Sequence, residues 1–189
     1  SIDATLALNQ QLTSGDVHRA ASVTQVAGGK GVNVAHAVHL AGKETLALFP
    51  ARAADPFINL IQEVHLPYAH VDMDGGVRVN TTITEPDGTT TKVNGPGPLL
   101  SDATQNHLIS TLTHHAQSAD WVALAGSLPK GVDAGWYTDL IKEIRTAAPQ
   151  ARIAVDTSDA PMRAIAMQLA TAAPDLIKPN GFELGSSPV

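Results

Sequence analysis

Residues 121–156 read WVALAGSLPKGVDAGWYTDLIKEIRTAAPQARIAVD, and their periodicity decides the fold class. WVALA (121–125) is an apolar run with the length of a buried strand. In DAGWYTDLIKEIRTA (133–147), Trp136, Tyr137, Leu140, Ile141 and Ile144 recur at helical spacing. RIAVD (152–156) returns to a strand, PMRAIAMQLATA (161–172) to a helix and DLIK (175–178) to a strand. Such alternation is the signature of parallel βαβ units in a layered α/β sheet. Ligands of these sheets bind beyond the carboxyl ends of the strands. Here those ends carry GSLPKG (126–131), DTSD (156–159) and KPNGFE (178–183), so three polar loops are expected along one edge.

The amino-terminal half has another texture. AGGKGVNVAHAV (27–38) packs three glycines and a lysine into four positions and then turns helical. Glycine lets the backbone approach a ligand closely, and a helix start offers unpaired N–H groups to an anion. A phosphate site and a flexible turn with a surface lysine both fit these residues alone. The helix is expected to end near Gly42, followed by a strand TLALF (45–49) and a helix DPFINLIQEV (55–64). VRVNTTIT (77–84) alternates, with Val77, Val79, Thr81 and Ile83 on one face and Arg78, Asn80, Thr82 and Thr84 on the other. EPDG (85–88) supplies turn chemistry and TTTKVN (89–94) returns, which makes a β-hairpin. DATLAL (3–8) and DVHRAASV (16–23) also read as strands. The expected organisation is a small β appendage, from residues 1–25 and 66–97, on an α/β core from residues 26–65 and 98–189. NGPGP (94–98) leads from one to the other.

Composition narrows the function. The chain has 189 residues, 43% of them apolar and 16% charged, an ordinary globular balance with length enough for a real core. A net charge of −6 argues against a nucleic-acid binder with a broad basic surface, so any phosphate site must be a local cluster of Lys and Arg. Cysteine is absent, which excludes disulfides, thiolate zinc sites and a cysteine nucleophile. No apolar run approaches a membrane span and no signal or transit segment is evident, so a cytoplasmic location is expected. His36 with His39, and His114 with His115, lack a carboxylate at ligand spacing and read as solvated helix faces. The glycine run is not a Walker loop, because Gly31 follows Lys30 and Thr24 stands six before it. No G-x-G-x-x-G opens a helix after a core strand, and nicotinamide chemistry drops out.

SID (1–3), AGGKGVNVA (27–35), VRVN (77–80), NGPGP (94–98), AGSLPKG (125–131), DTS (156–158) and IKPNGFEL (177–184) occur in the order found in the PfkB carbohydrate kinases. The chain resembles that family nearly from end to end, and most closely the branch that holds 1-phosphofructokinase and tagatose-6-phosphate kinase. The resemblance implies a ribokinase-like fold, a three-layer α/β/α core with a small β-sheet lid over the sugar site. It implies that Asp3 accepts hydrogen bonds from sugar hydroxyls and that Gly28, Gly29, Lys30 and Asn33 line the sugar pocket. Arg78 and Asn80 would grip the phosphate already on the sugar, with Arg19 a further cationic contact and Ser127 near the sugar. Lys178, Asn180 and Glu183 would lie on the nucleotide side, the last two in the family's N-x-x-E pattern that tunes magnesium and phosphate. ATP, Mg2+ and a phosphorylated sugar are the implied ligands, and a homodimer through the lid is the implied assembly, with no nucleic acid and no membrane.

The residues by themselves leave plainer roles open. Asp3 also suits an ordinary strand end, and Arg78 a solvated strand face. Lys130 reads as a surface residue. Asp156 either belongs to the site or closes the turn after its strand, and Glu183 is equally a favourable charge in the first turn of a helix. Two departures from the family stand out. PARAAD (50–55) occupies a loop where relatives carry glycines, so that loop is expected to approach the ligand differently. The family's catalytic Asp lies in a G-A-G-D or G-S-G-D stretch far downstream of N-x-x-E, whereas TSGD (13–16) falls in the first lid segment. Asp16 is therefore read as a turn residue, and the family's catalytic Asp is expected to lie beyond Val189, with no catalytic base within residues 1–189. The expectation is the N-terminal part of a longer kinase, with a further core strand before Ser1. The implied reaction is transfer of the ATP γ-phosphoryl to O6 of fructose 1-phosphate. A tagatose-6-phosphate kinase, a 6-phosphofructokinase and a non-catalytic sugar-phosphate-binding module are the alternatives.

Overall fold

Alternation of apolar and polar residues in the first strand organises the amino-terminal half. The computed structural model describes residues 1–179. In it β1 (Ile2–Leu8) lies antiparallel to β2 (Ala20–Ala27). On its other side β1 pairs in parallel with a strand from far along the chain, Val79–Thr84. That strand forms a hairpin with Thr90–Asn94, and these four make one sheet. The hairpin turn closes through the Gly88 N–H on the Glu85 carbonyl, while the Asp87 carboxylate accepts the Thr89 N–H. Register sets Asp3 opposite Asn80, with Thr5 opposite Thr82 on the same face. The other face carries Ile2, Ala4, Leu6, Val79 and Ile83. Ile2 and Ala4 are buried, and Ile2 packs with Phe49, Phe57 and Ile61 of the core. This sheet is the lid, built from two separate stretches of sequence.

Two expectations about the lid change. Pairing in β1 and β2 runs from Ile2↔Ala27 to Leu8↔Ala20, so residues 16–19 pass beyond the end of β1 and have no strand to join. Arg19 is thus in the loop before β2, not in a strand. The second change concerns residues 66–71, assigned above to the lid. Here β3 (Ala47–Pro50) pairs in parallel with β4 (Tyr68–Val71), apart from the lid sheet. Leu66 and Val71 are buried in the core, which is why this segment stays there.

α1 (Lys30–Leu40) leads from β2 to β3, and α2 (Pro56–Glu63) connects β3 to β4. Asp55 caps α2 by accepting the Phe57 N–H at 3.0 Å, and Pro56 occupies the first turn, where a missing N–H costs nothing. Phe57, Ile58 and Ile61 form the buried face of that helix. With β5 (Val79–Thr84) and β6 (Thr90–Asn94) already placed in the lid, the chain returns to the core through α3 (Asp102–Ala116). Ser101 caps this helix through the Thr104 N–H. α3 packs on β3 and β4.

The carboxyl-terminal half follows the βα alternation read from the sequence. β7 (Trp121–Ala125), β8 (Arg152–Asp156) and β9 (Leu176–Ile177) are parallel and adjacent in that order. α4 (Trp136–Ala147) buries Tyr137, Leu140, Ile141 and Ile144 against Val122, Leu124, Ile153 and Val155. It also packs against α3, which joins the two halves. α5 (Asp159–Met167) starts two residues earlier than expected, with Pro161 inside its first turn, and residues 168–171 form turns. Among the described residues no helix is long and apolar enough to cross a membrane.

Candidate functional site

The site is organised where α1 begins, because α1 packs on both β3 and β7 and so brings its start to the sheet edge. A Cβ on Gly28 would run into the Asp3 carboxylate, so only glycine lets the helix start this close to the lid strand. Gly29 precedes the first helical residue with φ +103, a conformation L side chains rarely adopt. Among the described residues no side chain caps α1, which leaves the N–H groups ahead of Asn33 available to an anion. Lys30 heads the helix, and Asn33 is exposed on its first turn.

Above this start lies the polar face of the lid. Asp3 Oδ1 accepts from Asn80 Nδ2 at 3.0 Å and from Ser1 Oγ at 3.0 Å. Among the described residues Asn80 Oδ1 is then a buried acceptor with no protein partner, placed to receive a donor. Arg78 is half-buried one residue before β5, on the Asn80 face by the two-residue period, and among the described residues it pairs with no carboxylate. Its placement traces to Asp55, which is 2% exposed. While one oxygen of Asp55 caps α2, the other accepts the Val77 N–H at 3.0 Å, pinning the chain just before Arg78. From the sequence, Asp55 was legible as the start of a helix and the end of the PARAAD loop, but not as the anchor of Val77.

A second cluster sits at the ends of β8 and β9. Lys30 Nζ lies 2.8 Å from Asp156 Oδ1, and Lys178 Nζ lies 3.4 Å from Asp156 Oδ2. Burial pushes the Asp156 carboxyl up, but the hydrogen bond and charge of Lys30, then Lys178, outweigh it and hold it below the usual carboxylate range. The structure thus holds Asp156 between two lysines at the end of its strand. Behind it, the Gly126 carbonyl accepts from the Tyr137 hydroxyl at 3.0 Å and the Thr157 hydroxyl at 2.9 Å. Burial, then the charge of Asp156, pushes the Tyr137 hydroxyl up to about 12, so it remains a donor. These bonds fix the loop that presents the exposed Ser127. Tyr137 carried no sequence signal beyond apolar periodicity, whereas Thr157 lies in the DTS motif (156–158) but was given no role of its own.

Asp3, Gly28, Gly29, Lys30, Arg78 and Asn80 therefore gather around one helix start, with Asn33, Ser127 and Lys178 at adjoining ends. Arg19 does not join them within this chain. The Leu8↔Ala20 pairing leaves it past the far end of β1, about 17 Å along the strand from Asp3. Lys130 is exposed, and its backbone bridges Leu99. Asp16 sits in a turn, its N–H on the Thr13 carbonyl. Asn180 and Glu183 lie outside the described residues, as does Val189, beyond which the family's catalytic Asp is expected. Among the described residues no three His, Asp or Glu side chains gather as a metal site.

The family model for pfkB family carbohydrate kinases matches residues 1–187. The chain is 38% identical over 188 residues to a 1-phosphofructokinase of Rhodobacter capsulatus, covering 92% of this chain and 54% of that protein. It is 34% identical over 187 residues to a 1-phosphofructokinase of Xanthomonas campestris, covering 97% and 58%. The chain thus spans a little over half the length of these curated relatives. Among solved structures it is similar to Escherichia coli phosphofructokinase-2 in complex with fructose-6-phosphate, with a TM-score of 0.86, 27% identity and coverage of 98% of this chain and 60% of that one. Arabidopsis thaliana ribokinase complexed with ribose and ATP shares the fold, with a TM-score of 0.66 at 18% identity, covering 97% and 58%. A lid over an α/β core and a motif series matched almost throughout agree on one conclusion: the chain belongs to the pfkB family of carbohydrate kinases.

Proposed function

We propose that this chain forms the sugar-binding part of an ATP-dependent sugar-phosphate kinase whose acceptor is fructose 1-phosphate. The observation that carries the reading is the lid face over α1: a carboxylate beside an open helix start, with a buried amide oxygen and a guanidinium that have no partner among the described residues. Asp3 and Asn80 take hydrogen bonds from sugar hydroxyls. Arg78 pairs with the phosphate already on the sugar, since a guanidinium matches phosphate oxygens two at a time. Lys30 and Lys178 lie where charge accumulates between sugar and nucleotide. Phosphoryl transfer asks little covalent chemistry of a protein; positioning and charge neutralisation supply most of the effect. Mg2+ supplies charge neutralisation on ATP when bound, and by the family resemblance Asn180 and Glu183 would hold it. The base that takes the O6 proton is carried by the same resemblance to a G-x-G-D stretch beyond Val189. Dependence on ATP suits a cytoplasmic enzyme.

Fructose 1-phosphate is preferred because the relatives at 38% and 34% identity are 1-phosphofructokinases. The fructose-6-phosphate complex of phosphofructokinase-2, at 27% identity, favours fructose 6-phosphate as the second reading. The test is coupled ADP release by the full-length protein with fructose 1-phosphate, fructose 6-phosphate, tagatose 6-phosphate and fructose. The highest kcat/KM is expected on fructose 1-phosphate. Binding of phosphosugars without turnover of any would instead identify a sugar-phosphate-binding module.

A further inference from the structure

We infer that Asp156 is a positioning residue that yokes the lysine on the sugar side of the site to the lysine on the nucleotide side. The inference rests on the kinase reading above, which assigns the two sides. Its basis is a three-way junction: one carboxylate at the end of β8 holds Lys30 from the start of α1 on Oδ1 and Lys178 from beyond β9 on Oδ2. Among the described residues no other acidic group pairs with either lysine.

Three features suit Asp156 to this role. Its backbone is fixed on both sides, because its carbonyl accepts the Gly126 N–H and the neighbouring Val155 carbonyl accepts the Lys178 N–H, each at 2.9 Å. Its side chain is only 20% exposed, whereas those of Lys30 and Lys178 are 48% and 70% exposed. The rigid member is therefore the carboxylate, and the two flexible side chains take their places from it. Two ammonium groups brought to one point also repel each other, and their long stems carry rotamer entropy that opposes a fixed geometry. A shared carboxylate offsets both costs. The trio keeps one net positive charge, enough to attract phosphate oxygens, with its two donors held at set places.

This role makes a prediction of mixed sign. Removing the carboxylate charge raises the local positive charge, so affinity for anionic ligands should not fall. Losing the fixed geometry should lower the rate, since small misplacements cost up to about 10²-fold. In the full-length protein, Asp156→Asn should lower kcat about 10- to 100-fold, while KM for fructose 1-phosphate and for ATP stays level or drops. In Lys30→Met and Lys178→Met backgrounds the same substitution should cost markedly less, because Asp156 acts through those lysines. A kcat loss of equal size in all three backgrounds overturns the inference, as does a rise in KM with kcat preserved. If Asp156→Asn does not fold, the Lys30→Met and Lys178→Met cycle carries the test. Losses smaller together than their product support one yoke, and losses that multiply overturn it. Calorimetry on the unsubstituted protein separates the two levels. Failure to bind both fructose 1-phosphate and ATP overturns the kinase reading together with this inference, whereas turnover with multiplying losses overturns the inference alone.

Discussion

The phosphate contact proposed for Arg78 depends on where its backbone is held. Asp55 pins Val77 beside it, and the Arg78 carbonyl accepts the Ile2 N–H at 2.9 Å, so the guanidinium projects from a fixed point at the base of the lid. Replacing Arg78 by Ala should weaken fructose 1-phosphate by about 2–5 kcal/mol, the cost of truncating one partner of a desolvated charge pair. Fructose, with no phosphate to lose, should bind almost unchanged. Titrating both sugars calorimetrically against the parent and Arg78→Ala decides this, and equal losses would remove Arg78 from the phosphate. The guanidinium was legible in the sequence, because alternation set it on the Asn80 face. Asp55 was not, because its second hydrogen bond reaches 22 residues along the chain.

At the scale of elements, the core strands are tied by a carboxylate remote from the site. Asp175 Oδ2 accepts the Ile153 N–H and Arg145 Nη2, each at 2.7 Å, joining the entry to β9 with the start of β8 and the end of α4. The Ile153 N–H, with Arg145 adding to it, holds this carboxyl below the usual carboxylate range. A lowered folded pKa means that the stabilisation is complete above the unfolded value and is lost as pH falls through the folded one. Because the side chain is 36% exposed, solvent limits the effect to about 1 kcal/mol. Asp175→Asn should therefore lower stability near neutral pH and match the parent in acid. Urea melts at several pH values would show a gap that closes on acidification; a gap constant with pH would refute the linkage. The existence of these elements was legible from periodicity, but their ends were not. β2 starts at Ala20 because β1 ends at Leu8, and no local signal in DVHRAASV announces that.

For the whole molecule, the lid poses the question of what covers it. Val23, Val79 and Val93 share the face opposite Asp3 and are 59%, 41% and 57% exposed. Apolar strand surface and open sheet edges of this kind favour association, and we propose a homodimer through residues 1–25 and the lid hairpin. Light scattering of the intact protein should give a dimer, and Val23→Asp with Val93→Asp should give a folded monomer; an unchanged state on substitution would place the interface elsewhere. The catalytic proposal is tested at the same scale. Residues 1–189 alone should not release ADP from ATP with fructose 1-phosphate, whereas a chain extended past Val189 through a downstream G-x-G-D stretch should. A general base is worth about 10²–10⁴ in rate. Comparable turnover by both would assign the base to a carboxylate within these residues.

The sequence by itself determined the α/β class, the hairpin, the glycine-led start of α1 and the family, because each is written in short-range periodicity, turn chemistry or contiguous motifs. YAHV (68–71) escaped that reading: a strand buried in parallel pairing need not alternate, and only β3 beside it reveals its place in the core. The structure alone decided which charges meet. Lys30 and Asp156 are 126 residues apart in the chain, and their pairing follows from α1 packing across β3 and β7 while β8 lies beside β7. It decided equally that Asn80 keeps a buried acceptor without a partner among the described residues and that Arg19 stands at the far end of the lid. Residue type and spacing fix what a side chain can do, whereas sheet order and helix packing fix what it can reach.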